Sequence, residues 1–248
     1  MHVETYGPVD APPVLLLHGG GVAGWMWEPL RERLAPDHRL IVPDLPGHDR
    51  SAGDPYHSHA RTVEALTEVL GKVGGRASVA GFSLGAQLTV LLAAHAPALV
   101  ERVMVVSAQA KPSAAPGLTL GLLGATAGLA SRKRFATLQA RTLFIPDELL
   151  DDYVRTSASV SKQTLLTAVG ENIRFTVPPG WARFPGKASI LAGERERGFM
   201  RESARVLHDA LPGSELEIVA GCGHGIPLQR PDWFAQRVSG WLNSQATR

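Results

Sequence analysis

Serine 83 stands between two glycines in Gly81-Phe82-Ser83-Leu84-Gly85, directly after the β-type run 77–80 and at the start of a helical pattern over 84–95. At a sharp strand-to-helix turn a serine lifts its hydroxyl above the sheet edge, and small neighbours are needed because the backbone there is strained. The helix that follows contributes backbone N–H groups and a positive dipole end. Those are the needs of a nucleophile. A serine hydroxyl is nearly inert at neutral pH without a positioned base, and His224 is the candidate. It sits in Gly221-Cys222-Gly223-His224-Gly225, after the late β-type run 216–219, where glycines let the loop fold over the sheet edge.

An imidazole acting as base needs an acceptor behind it to fix its tautomer and stabilise the imidazolium. The loop after the run 189–191 reads Gly193-Glu194-Arg195-Glu196-Arg197, with two glutamates and no aspartate. Glu196, three residues past the strand-ending glycine, is the first choice. Glu194 is the second, since it can instead face solvent or pair with an arginine, and a run of charges also reads as a plain solvated surface. No carboxylate stands near Ser107, the other place such an acid could come from. His18-Gly19-Gly20-Gly21 follows the run 13–17, and amides in a glycine turn can approach an oxyanion with no Cβ in the way. Gly20 is expected to give one donor and Leu84, next to the nucleophile, the other. Gly21, Trp25, Trp27 and Phe82 are candidates to line the substrate pocket, although large apolar residues more often pack as core.

These residues need a scaffold. Short, continuously apolar runs at 13–17, 40–42, 77–80, 103–106, 189–191 and 216–219 read as strands buried on both faces. Helical spacing over 62–73, 84–95, 199–211 and 233–242 falls between them, and Pro97 and Pro212 follow two of these helices closely. The alternation predicts an α/β domain with a mostly parallel sheet and helices on both faces. It fails over about 111–183, which carries Gly/Ala-rich apolar runs, the cluster Arg132-Lys133-Arg134 and the breaker Pro178-Pro179-Gly180. That stretch reads as a helical insertion able to cover a site, within one domain spanning 1–248.

The 248 residues are 44% hydrophobic and 19% charged, enough apolar surface for a sizeable core, so disorder is excluded. Twenty-five basic against 23 acidic residues, scattered along the chain, leave no footprint for nucleic acid. Cys222 is the one cysteine, so no disulfide framework or multi-cysteine metal cluster is possible. The histidines of His57-Ser58-His59 lack a nearby cluster of carboxylates or thiols, so no metal is expected. The first residues show no secretory pattern, which makes a cytoplasmic location the expectation. The uncharged stretch 112–131 has the length of a span but contains Pro116 and several glycines. It reads as a greasy covering segment, and no stable membrane association is expected.

In this order, Leu17-His18-Gly19-Gly20-Gly21, Pro43-Asp44-Leu45-Pro46-Gly47-His48-Asp49-Arg50-Ser51, Gly81-Phe82-Ser83-Leu84-Gly85, Gly193-Glu194-Arg195-Glu196 and Gly221-Cys222-Gly223-His224 resemble the α/β-hydrolase superfamily over essentially the full length. The similarity is greatest to its single-domain esterase-type members with a helical cap. The family pattern usually has Asp at Glu196 and Gly at Asp49. The resemblance implies Ser83 as nucleophile, His224 as base and the amides of Gly20 and Leu84 as oxyanion hole. The expected activity is hydrolysis of small apolar carboxylic esters through an acyl-serine, with no cofactor, by a monomer or homodimer. Thioesters, lactones or the C–C bond of a ring-fission product are the alternatives within enzymes, because one constellation serves them all. A ligand-binding sensor without turnover is the alternative outside enzymes.

Overall fold

The computed structural model describes residues 1–130 and 133–244, so Arg132 of the basic cluster and Ser131 lie outside the described residues. Seven strands form one sheet: β1 (Val3–Tyr6), β2 (Pro13–Leu17), β3 (Arg39–Pro43), β4 (Ala77–Phe82), β5 (Val100–Val106), β6 (Lys187–Gly193) and β7 (Glu215–Val219). Their order is β1-β3-β2-β4-β5-β6-β7. β1 runs antiparallel against β3 and every other neighbouring pair is parallel. The α/β reading and its six strands hold, with β1 added. β1 escapes a pattern search because it is four residues at the sheet edge, VETY, with no apolar run.

The helices are α1 (Glu28–Leu34), α2 (His59–Gly71), α3 (Leu84–His95), α4 (Pro116–Ala130), α5 (Lys133–Thr142), α6 (Leu150–Ser159), α7 (Lys162–Arg174), α8 (Gly198–Ala210), α9 (Ile226–Gln229) and α10 (Pro231–Asn243). Side chains of the central strands alternate between two cores, as a period of two requires. Leu15 and Leu17 of β2 and Val103 and Val105 of β5 join Leu66 of α2, Leu88 of α3 and Leu207 of α8 on one face. Val14, Leu16, Met104 and Val106 join Leu30 of α1 and Phe234 of α10 on the other. The expected strands read as unbroken apolar runs because both faces are covered. α1 is only seven residues long, too short to show a helical period, and is held by packing on α10.

Helices α4–α7 all lie between β5 and β6. α4 packs against α7 and α5 against α6. α4 holds most of the uncharged stretch; its 15 residues fall short of the roughly 20 that a span requires. Among the described residues no helix is long and apolar enough to cross a membrane.

Candidate active site

The turn from β4 to α3 explains its own glycines. Ser83 has φ +52° and ψ −110°, a conformation that costs a non-glycine residue about 1–3 kcal/mol. A Cβ on Gly81 would sit 2.3 Å from the Gly85 carbonyl oxygen, and one on Gly85 would sit 2.2 Å from that of Leu17. No side chain fits at either position while β4, α3 and the end of β2 remain this close. The backbone is held from both sides by Ser83 N–H to Val106 O (2.9 Å) and Gly85 N–H to His18 O (3.1 Å).

From this turn the Ser83 hydroxyl lies 3.0 Å from His224 Nε2, and His224 Nδ1 lies 2.6 Å from Glu196 Oε1. The three side chains come from the ends of β4, β7 and β6, far apart in sequence. The Glu196 carboxyl is 2% exposed and the imidazole 36%. Among the described residues Glu196 Oε2 is buried with no hydrogen-bond partner, so the carboxylate is aimed at the histidine alone. Phe82 packs its ring 5.2 Å from the imidazole.

Glu194 does something different: its carboxylate accepts from Gly221 N–H at 2.8 Å, tying the β6 exit to the loop that carries His224. Arg195 N–H to Cys222 O (2.8 Å), Ser107 Oγ–H to His224 O (3.2 Å) and Gly223 N–H to Gln229 Oε1 (2.8 Å) hold the same loop. A Cβ on Gly193 would lie 2.3 Å from Gly223 O, which is why β6 ends on a glycine. Ser107 and Gln229 carry no pattern in the sequence; only the parallel register that sets β5 and β6 side by side brings Ser107 there. Cys222 is fully buried in this loop, where burial raises its thiol pKa, and it acts as a packing residue.

The Gly19–Gly20 peptide is oriented by His18. Leu45 N–H donates to His18 Nε2 at 2.8 Å, so Nδ1 carries the proton and donates to Gly19 O at 2.7 Å. Burial, with His48 close by, holds the His18 pKa well below its usual value, and burial lowers that of His48 as well. Because Gly19 C=O and Gly20 N–H belong to one planar unit, fixing the carbonyl also fixes the N–H on the opposite side. Among the described residues neither Gly20 N–H nor Leu84 N–H donates to another backbone or side-chain group.

Two cavities open on Ser83. One, about 380 Å³, is lined by Gly20, Gly21 and Leu84 and, from α4–α7, by Leu123, Tyr153 and Lys162 among others. The other, about 500 Å³, is lined by His224, Glu196, Phe144 and Phe199 among others. Gly21 lines the first, whereas Trp25, Trp27 and Phe82 line neither, against the expectation made for them. Trp27 is buried and stacks 6.1 Å from Phe234 between α1 and α10, and Trp25 Nε1–H turns to Thr156 of α6 at 2.9 Å. Both follow the glycine turn in sequence, but the chain leaves the site before it reaches them. The lining residues of α5–α7 had no signal beyond lying in the insertion.

The Pro43–Ser51 segment is scaffold except at His48, which lines the 380 Å³ cavity beside Ser83. Asp44, fully buried, accepts from Gly24 N–H (2.9 Å) and Arg50 Nε–H (2.7 Å). Asp49, standing where the family pattern has Gly, adopts the left-handed φ of +42° and pairs with Arg155 of α6. Aspartate tolerates that region better than most residues. His59 is buried between Tyr56 and Gln87 (2.9 and 2.8 Å). Among the described residues no group of three His, Cys, Asp or Glu side chains is arranged to hold a metal.

Residues 14–237 match the family model described as the alpha/beta hydrolase family. The chain belongs to the alpha/beta hydrolase family. It is 28% identical over 258 residues to the carboxylesterase YbfK of Bacillus subtilis, covering 97% of this chain and 83% of that one. The solved structure of that enzyme superposes with a TM-score of 0.76 at 25% identity, covering 98% and 88% of the two chains. A pimeloyl-[acyl-carrier protein] methyl ester esterase of Nitrosomonas europaea is 35% identical over 108 residues, 43% of this chain and 40% of that protein. The match thus spans about two fifths of the length of that relative. A hydrolase of Pseudomonas aeruginosa PA01 shares the fold with a TM-score of 0.84 at 20% identity, covering 98% and 94%.

Proposed function

We propose that this protein hydrolyses carboxylic esters through an acyl-serine intermediate, with Ser83 as nucleophile, His224 as base and Glu196 as the acid behind it. One observation carries the reading: the unbroken hydrogen-bonded line from a strained, cavity-facing serine through His224 to a buried carboxylate. In acylation the Ser83 Oγ–H proton passes to His224 Nε2 as Oγ bonds the ester carbonyl carbon. The carbonyl oxygen becomes an oxyanion facing the amides of Gly20 and Leu84. Collapse breaks the bond to the leaving oxygen, which takes the proton from Nε2. Water then attacks the acyl-serine, giving a proton to His224 Nε2 as its oxygen bonds the acyl carbon; the bond to Ser83 Oγ breaks as Oγ takes that proton back, and the carboxylic acid leaves. Glu196 stabilises the imidazolium formed in both halves and keeps the tautomer in which Nε2 is free to accept.

No step requires a cofactor. Helices α4–α7 act as a cap over the site, with residues about 111–183 as the insertion in a single domain. The naming of YbfK as a carboxylesterase, over nearly the whole chain, favours an ester over other acyl bonds. The substrate is a small ester in which an apolar acyl chain lies along Leu123 and Leu165.

The test is a panel of p-nitrophenyl esters of graded acyl length beside thioesters and lactones, run with the unmodified protein and Ser83→Ala. Ester turnover that vanishes in a folded Ser83→Ala supports the reading. Turnover that persists there removes the mechanism, and faster turnover of another class moves the substrate.

A further inference from the structure

Ser83 stands between two lobes of different character, and the stereochemistry of acyl transfer tells them apart. A tetrahedral carbon on Ser83 Oγ has three other substituents. The oxyanion faces the Gly20 and Leu84 amides, the leaving atom must reach the proton on His224 Nε2, and the acyl chain takes the remaining direction. The 380 Å³ lobe is lined by both amide-bearing residues and not by His224, so it receives the acyl chain. The 500 Å³ lobe is lined by His224 and by neither amide residue, so it receives the leaving group.

We infer that the leaving group is a sizeable alcohol or thiol bearing a phosphate or carboxylate, held by Arg195 and Arg197; this rests on the hydrolase reading above. Both arginines line the leaving-group lobe. Among the described residues neither guanidinium has an ion-pair or hydrogen-bond partner, whereas Arg50 and Arg155 elsewhere each hold two carboxylates. The one carboxylate lining the lobe is Glu196, buried and engaged with His224. The lobe therefore presents two uncompensated forks of N–H donors, the geometry that grips a carboxylate or phosphate with two bonds at once. Phe144 and Phe199, each 38% exposed, add apolar surface to the same lobe. Its volume is far more than methanol or ethanol would fill.

The experiment compares acetyl esters whose leaving phenols carry a neutral ester, a carboxylate or a phosphate at the same para position: methyl 4-acetoxybenzoate, 4-acetoxybenzoate and 4-acetoxyphenyl phosphate. Each kcat/KM is divided by the ester's own hydroxide-catalysed rate constant. The charged esters are expected to be favoured about five- to tenfold, the size of one or two exposed charge-assisted contacts. The preference should fall to within about twofold in the doubly substituted Arg195→Gln/Arg197→Gln protein and in about 1 M NaCl, where screening acts within about 3 Å. Whichever anion is favoured more identifies the group. A ratio of one or below in the unmodified protein, or a preference that survives both salt and substitution, overturns the inference. So does an arginine-dependent preference for phenyl succinate over phenyl butyrate, which would put the charge on the acyl side. If the double variant misfolds, the salt dependence of the unmodified protein decides. Turnover of the neutral ester without charge preference defeats this inference alone; no turnover of any ester defeats the hydrolase reading and this inference with it.

Discussion

Replacing Glu196 by glutamine changes one atom and removes one charge, and the geometry predicts a large effect. With Nδ1 and Oε1 2.6 Å apart, the imidazolium and carboxylate charge centres lie about 4 Å from each other. At an effective dielectric constant of about 20 their attraction is about 4 kcal/mol, and losing it slows the step that forms the imidazolium by about three decades. A second effect of the same substitution acts on the same step and overlaps with the first. Glu196 Oε2 has no hydrogen-bond partner among the described residues, so a glutamine NH2 group placed there would find no acceptor. It turns to His224 instead, donates to Nδ1 and drives the proton to Nε2, where it blocks acceptance from Ser83; a wrong tautomer of this kind costs about 10⁴ in kcat. The expected fall in kcat for p-nitrophenyl acetate is therefore about 10³–10⁴, with the circular dichroism spectrum retained. Glu194→Gln is the control. Its side-chain oxygen can still accept from Gly221 N–H, so kcat should stay within about threefold. A loss below tenfold at position 196, or an equal loss at both, would refute the assignment of the acid.

Gly85→Ala should destabilise the fold by about 3 kcal/mol or more in chemical denaturation, because the added Cβ lies 2.2 Å from Leu17 O and 2.6 Å from His18 O; a change below about 1 kcal/mol would show that the turn can open. Ser83→Gly and Ser83→Ala should both be inactive, but the glycine form should be more stable by about 1 kcal/mol, since only glycine adopts φ +52° freely; equal stability would deny the strain. Stability should also fall on acidification. His18, His48 and His59 have folded-state pKa values below the ordinary 6.5, so under pH 6.5 the unfolded chain binds more protons than the folded one. Each group then costs up to about 1.4 kcal/mol per pH unit, down to its own folded pKa. Urea titrations at pH 7 and pH 5 measure this, and a flat or rising stability would contradict it.

Much of the candidate site was legible because its chemistry leaves local marks. Strain at Ser83 demands glycine at 81 and 85, close approach of β6 to the histidine loop demands glycine at 193, and apolar runs report strands covered on both faces. Glu196 was separable from Glu194 only by reach, since both glutamates sit in one charged run. What could not be read was set by register and packing. Ser107 reaches His224 because β5 and β6 lie side by side, and Trp25 and Trp27 leave the site because α1 packs on α10. The residues that α5–α7 bring to the cavity follow no period or motif. Asp49 departs from the family's glycine yet keeps the left-handed turn and adds an ion pair to α6, a compensation visible only in three dimensions.

Labelling with a fluorophosphonate, with the adduct located by peptide mass spectrometry, asks most directly whether position 83 carries an activated nucleophile. One label per chain on Ser83, lost in Ser83→Ala and slowed by orders of magnitude in His224→Gln, is the predicted result. An unlabelled Ser83 in folded protein, or labelling at undiminished rate without the His224 imidazole, would contradict it.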